Sequence, residues 1–170
     1  MVIVNTGEGK GKTTAALGAM LRAWGRGSRA CMVQFLKHER GKWGEVRAAA
    51  KLDGFDLVAT GDGFSWNSED EATSKAKAQD GWRLAQKIIQ GGEYDLVVLD
   101  EFTYPLDFGW LDVKHVIEWI KANKPVKMHL IITGRRAPAE LTDFADIVSE
   151  VVKVKHHYDL GQSAQPGVEF

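Results

Sequence analysis

The sequence predicts an α/β domain: a mostly parallel central sheet with helices on both faces. Three observations carry this. Short apolar runs alternate with longer segments of helical periodicity along the whole chain. Those runs are almost continuously apolar, as strands covered on two faces must be. The length, 170 residues, suits one domain with a substantial core, so residues 1–170 are read as a single unit.

The elements follow in order. Residues 1–5 are an apolar strand, and residues 6–12 a glycine-rich loop. Residues 13–25 read as a helix: Leu17, Met20, Leu21 and Trp24 recur at helical spacing among good helix formers, and Gly25 and Gly27 end it. A second strand covers 29–36, a helix 42–52 and a short third strand 55–59. Residues 60–70 are a loop rich in glycine and aromatics. A long helix over 71–90 is closed by Gly91 and Gly92. Residues 95–100 are an apolar strand with an acidic end. Asp112 caps a helix over 111–122. Residues 128–133 form the next strand, and Pro138 opens a short helix that runs to Phe144. A last strand covers 147–154, and 155–170 are a polar tail or flap.

In sheets of this kind ligands bind at the carboxyl ends of the strands. Three ends here carry polar chemistry: Asn5 before the glycine loop, Asp100-Glu101, and Thr133-Gly134-Arg135. Their convergence on one edge predicts a single site.

Composition narrows the classes. A formal net charge of −1 argues against a protein that coats nucleic acid. The single cysteine, Cys31, excludes an intrachain disulfide and a thiolate metal cluster. It lies in the apolar run Ala30-Cys31-Met32-Val33 and reads as a small buried hydrophobe. No apolar run is long enough to span a bilayer, and no signal-peptide pattern precedes the first strand. A cytoplasmic location with no membrane partner is the expectation.

The glycine loop reads Thr6-Gly7-Glu8-Gly9-Lys10-Gly11-Lys12-Thr13-Thr14. The usual phosphate loop is G-x-x-x-x-G-K-[ST]. Aligned on Gly11-Lys12-Thr13, its first glycine falls on Thr6, and Gly7 comes one residue late. The physics is retained. Gly7, Gly9 and Gly11 let the backbone curl its N–H groups toward an anion, and the next helix adds its positive end. Lys12 brings a cation to the phosphates, Thr13 a hydroxyl for Mg²⁺ and Thr14 a further donor. The plainer alternative is a glycine turn with a solvated lysine; the order strand, loop, helix favours the phosphate loop and a P-loop NTPase-like fold. Downstream, Asp100 and Glu101 end an apolar strand where P-loop proteins hold the water shell of Mg²⁺. A solvated acid pair is the alternative there. These two motifs alone specify phosphoryl transfer or ATP hydrolysis and nothing finer.

Further segments narrow the reaction. The chain resembles the P-loop type of ATP:corrinoid adenosyltransferases. The resemblance rests on the loop from Thr6 to Ala16 with its shortened glycine spacing, and on Gln34-Phe35-Leu36-Lys37. It extends to Gly63-Phe64-Ser65-Trp66-Asn67 and Leu99-Asp100-Glu101-Phe102-Thr103-Tyr104. Ile132-Thr133-Gly134-Arg135-Arg136-Ala137-Pro138 and Ala164-Gln165-Pro166-Gly167-Val168-Glu169-Phe170 complete it. It spans essentially the whole chain, in order.

The resemblance implies that a corrinoid with cobalt in the +1 state attacks the ribose 5′ carbon of ATP and that inorganic triphosphate leaves. The nucleotide would lie reversed in the loop relative to ordinary P-loop ATPases. Lys12, Thr13 and Glu101 would be catalytic. The loop from Thr6 to Thr14, including Glu8 and Lys10, would bind the nucleotide, with Arg135 on phosphate. Thr13, Asp100 and Glu101 would hold Mg²⁺ or Mn²⁺. Phe64 and Trp66 would pack on the corrinoid face and remove the lower axial ligand, which eases reduction to cobalt(+1); Asn67 and Glu69 would order that loop. Without the resemblance, the two rings read as core anchors of a loop. His156 and His157 read as structural or as contacts to polar corrinoid groups, because a histidine below the cobalt would oppose the four-coordinate state. A homodimer and an electron-donating reductase are implied partners. Family members carry a segment ahead of the first strand that helps cover the nucleotide; this sequence opens at the strand, as a trimmed chain or a shorter variety would. An ordinary P-loop ATPase or kinase, and a binding protein without turnover, stand as alternatives.

Overall fold

A computed structural model describes residues 1–38, 43–61 and 71–168. The elements run β1 (Val2–Thr6), α1 (Lys12–Trp24), β2 (Ala30–His38), α2 (Gly44–Ala49), β3 (Phe55–Gly61), α3 (Glu71–Gly91), β4 (Leu96–Asp100), α4 (Thr103–Asp107), α5 (Val113–Asn123), β5 (His129–Thr133), α6 (Ala139–Phe144) and β6 (Ile147–Glu150). A 3₁₀ turn, His157–Leu160, follows. The six strands form one sheet in the order β3-β2-β4-β5-β1-β6, every neighbouring pair parallel. The α/β expectation of a parallel sheet covered on both faces is met.

The two-residue period of the strands divides the core. In β4, Val97 and Leu99 face one side while Leu96 and Val98 face the other, and all four are buried. The first side is covered by α3, α5 and α6. Trp82 and Phe35 pack there on Phe102, with ring centroids 5.2 and 4.7 Å away. The second side is covered by α1 and α2 through Ala16, Met20 and Ala49 over Met32 and Phe55. Truncating Leu99, fully buried at the centre, to alanine should cost about 2–5 kcal/mol.

Several boundaries differ from the sequence reading. The last strand ends at Glu150 rather than 154, because Val151 turns its backbone onto the glycine loop. The helix expected over 42–52 is observed as Gly44–Ala49. A short helix, α4, follows the acidic strand end where none was predicted. Asp112 caps α5 as expected, its side chain accepting from the His115 N–H at 2.8 Å. Phe64, Trp66, Asn67 and Glu69 lie outside the described residues. Among the described residues no helix is long and apolar enough to cross a membrane.

Candidate active site

β1 delivers the chain into a loop whose glycines answer to close packing. Gly7 has φ 98°, and a Cβ there would lie 2.5 Å from the Val151 carbonyl oxygen. A Cβ on Gly9 would lie 2.7 Å from the Val152 oxygen. The Gly9 N–H donates to the Val151 oxygen at 2.7 Å, so the chain after β6 braces the loop. No side chain caps α1, and its first turn holds no acid. The first-turn N–H groups, with the positive end of the helix, make an anion site. Lys12 is buried, and its Nζ donates to the carbonyl oxygens of Gly7 and Gly9, both at 2.7 Å. Burial lowers its pKa; Glu101, nearby, opposes that shift and Arg135 adds to it.

The ends of β4 and β5 supply the facing wall. Asp100 is fully buried, and the hydroxyls of Thr13 and Thr133 donate to its Oδ1 at 2.8 and 2.7 Å. This ties α1, β4 and β5 at one point. Glu101 has φ 59°, a conformation that costs a non-glycine residue about 1–3 kcal/mol. Its N–H donates to the Thr133 hydroxyl at 3.0 Å, which helps hold that turn. Three residues on, Tyr104 is buried, and burial followed by the Glu101 charge raises its phenol pKa. Gly134 has φ 141°, and a Cβ there would lie 2.0 Å from the Thr103 hydroxyl. That hydroxyl donates to the Arg135 carbonyl at 2.6 Å, and the Arg135 guanidinium reaches Glu8 Oε2 at 3.2 Å.

These parts enclose a cleft of about 510 Å³, lined by residues 9–14, Glu101, Tyr104 and Arg135. That volume lies within the range of small-molecule sites. Leu17 of α1, Glu45 of α2, His156 and Val168 also line the cleft.

A family model described as ATP:corrinoid adenosyltransferase BtuR/CobO/CobP matches residues 1–170. The chain belongs to the ATP:corrinoid adenosyltransferase family. It is similar to the corrinoid adenosyltransferase of Sinorhizobium sp, 37% identical over 172 residues, covering 100% of this chain and 80% of that one. The corrinoid adenosyltransferase of Escherichia coli K12 is 36% identical over 172 residues, covering 100% of this chain and 85% of that one. The corrinoid adenosyltransferase CobA of Salmonella typhimurium LT2 is 37% identical over the same length, with the same coverage.

As an ATP:corrinoid adenosyltransferase the chain is a transferase with ATP and a corrinoid as its substrates. Of the residues expected from sequence, Gly9, Lys10, Gly11, Lys12, Thr13, Thr14, Glu101 and Arg135 line the cleft. Thr6, Gly7, Glu8 and Asp100 do not. The Thr6 hydroxyl instead accepts from the Ala137 N–H at 3.2 Å, holding the β5–α6 connection. Asp100 lies beneath Thr13 and meets the cleft through that hydroxyl. Tyr104 and Val168 were not expected as cleft residues, whereas His156, read as structural or as a contact to polar corrinoid groups, does line the cleft. Tyr104 lay in the quoted motif that ends β4, but its place in the wall depends on α4, which spacing does not reveal; Val168 lay in the quoted closing motif, and only the folded chain brings the tail near the loop.

Proposed function

We propose that this ATP:corrinoid adenosyltransferase moves the 5′-deoxyadenosyl group of ATP onto the cobalt(I) of a corrinoid by direct displacement. The cobalt(I) electron pair forms a bond to C5′, and the C5′–O bond breaks. Inorganic triphosphate leaves with that bonding pair, and cobalt becomes formally +3. The observation that supports this most is the uncapped start of α1 facing one cleft together with Lys12 and Arg135. Negative charge grows on the leaving triphosphate, and fixed donors aimed at it lower the barrier without reorganising. Lys12, the N–H groups of residues 10–14 and the Thr14 hydroxyl hold the triphosphate. Arg135 exchanges its contact with Glu8 for phosphate oxygen.

The donors around Thr13 suit Mg²⁺ or Mn²⁺. They are all hard oxygens, the Thr13 hydroxyl and the carboxylates of Asp100 and Glu101, and Mg²⁺ needs only one or two carboxylates because it keeps most of its waters. When bound, such an ion neutralises part of the triphosphate charge. Glu101 lines the cleft wall, as does Tyr104, and would orient that water shell. Phe64 and Trp66, by resemblance, cover the corrinoid face. The reading includes a homodimer, a cytoplasmic location and an external reductase that supplies cobalt(+1).

The test mixes protein, ATP, Mg²⁺ and chemically reduced corrinoid under anaerobic conditions, then identifies the phosphate product and the visible spectrum. Triphosphate and a light-sensitive alkyl-cobalt spectrum are expected. ADP and phosphate would establish an ordinary ATPase or kinase, and binding without product a carrier. Lys12→Ala should stay folded and lose about 10²–10³-fold in rate. Trp66→Ala should lose more activity when the corrinoid must be reduced in the site than when cobalt(I) is supplied.

A further inference from the structure

The strand register sets Gln34, near the end of β2, directly beside Asp100 at the end of β4. Gln34 is fully buried. Its Nε2 donates to Asp100 Oδ2 at 3.3 Å, while Thr13 and Thr133 hold Oδ1. The amide orientation is forced, because the flipped amide would set its oxygen against a carboxylate oxygen. The backbone of Gln34 is fixed as well: the sheet holds it, and the Thr60 hydroxyl donates to its carbonyl at 3.3 Å.

This orientation leaves Gln34 Oε1 buried with no hydrogen-bond partner among the described residues. A buried acceptor without a donor is destabilising, whereas a methionine would fill nearly the same volume with no such group. The bond to Asp100 accounts for the amide nitrogen of Gln34; fold stability does not account for its buried oxygen, and a donor that arrives with the substrate does.

We propose that Gln34 is a positioning residue for the divalent cation that accompanies ATP. Its amide nitrogen fixes the Asp100 carboxylate, and its Oε1 accepts from a water in the shell of the bound cation. A strongly hydrated ion presents such donors, and partners of this outer kind orient first-contact ligands. The inference rests on the proposed nucleotide site, and its test separates the two.

Mn²⁺ is titrated into the protein–ATP complex, and free Mn²⁺ is read by electron paramagnetic resonance. Metal-free melting is measured alongside. Gln34→Met should bind Mn²⁺ about tenfold or more weakly, melt lower without metal because Asp100 loses one donor while still unfolding cooperatively, and recover most of its kcat at saturating metal. Wild-type Mn²⁺ affinity in Gln34→Met, with or without a lower melting temperature, overturns the proposal. If Gln34→Met does not fold, Gln34→Asn, one methylene shorter, decides by the same criterion. A wild-type protein that makes no adenosylated corrinoid, with the Mn²⁺ effect intact, sinks the functional reading and leaves Gln34 in place. Active wild type with unaltered Mn²⁺ binding in the variant sinks the Gln34 proposal alone.

Discussion

Cys31 and Asp100 are both buried side chains of the sheet, yet they do opposite things with burial. Burial, with Asp56 adding and a hydrogen bond to Tyr94 opposing, pushes the Cys31 thiol pKa up to about 12. The folded value lies above the unfolded one, roughly 8.5. The folded state therefore holds the proton more tightly, and its contribution to stability is complete below the unfolded value and lost as pH rises from there toward about 12. Native protein at pH 8 should resist a thiol reagent and react fully in denaturant; rapid native labelling would place Cys31 outside the core. Cys31→Ala should remove that part of the alkaline slope in a pH series of thermal melts. Asp100, by contrast, accepts from Thr13, Thr133 and Gln34, so its charge is met inside the fold. Its position at the end of an apolar strand was legible in the sequence, as were Lys12 and Thr13, because each belongs to a motif with fixed spacing. Gln34 and Tyr104 lay within quoted motifs, but their roles depend on strand register and on a helical turn that spacing does not reveal. The pairing of Arg135 with Glu8 joins residues 127 apart by number, beyond any local pattern.

Among the elements, the phosphate loop depends on a neighbour that no motif mentions. Residues 150–152 press against Gly7 and Gly9, and the Gly9 N–H is tied to Val151. Gly9→Ala would force its methyl into that backbone, an overpacking worth about 1–3 kcal/mol. It should lower the melting temperature and weaken ATP binding together; loss of neither would show that the brace can give way freely. The sequence reading carried the last strand through residue 154 because Val151, Val152 and Val154 are apolar and β-branched, but the backbone at Val151 is used for bracing. It also missed α4; Pro105 lies within the first turn of this five-residue helix, where its missing N–H costs no bond. The long amphipathic helices were legible because their apolar period leaves no other solution. At the start of α5, the Asp112 carboxylate accepts from the His115 N–H, and that bond holds its pKa below the usual carboxylate value. A depressed folded value means stability present above the unfolded pKa and lost as pH falls through the folded one. Asp112→Ala should melt lower than wild type at pH 7, with the gap closing in acid. A gap that stays constant down to low pH would mean that the cap acts through shape, not charge.

For the whole molecule, the parallel order β3-β2-β4-β5-β1-β6 brings the ends of β1, β4 and β5 to one edge. The cleft therefore draws on both faces of the sheet: α1 comes from one side, while α4 and the tail close other walls. A ligand held by so many separate segments binds only the folded chain, so it should stabilise the fold as a unit. Saturation at a hundred times the dissociation constant adds about 2.7 kcal/mol. For a domain of this size that is a rise of about 5–10 °C in melting temperature. ATP with Mg²⁺ should produce that rise in wild type as one cooperative transition, and inorganic triphosphate should reproduce a large part of it, because the donors converge on the phosphates. Lys12→Ala should lose most of the shift while melting cooperatively by itself. Adenosine alone producing the full rise, with triphosphate producing none, would move the binding energy away from the loop and toward the base. That outcome would break the link between the curled backbone at Gly9–Thr14 and the leaving group on which the proposed reaction depends.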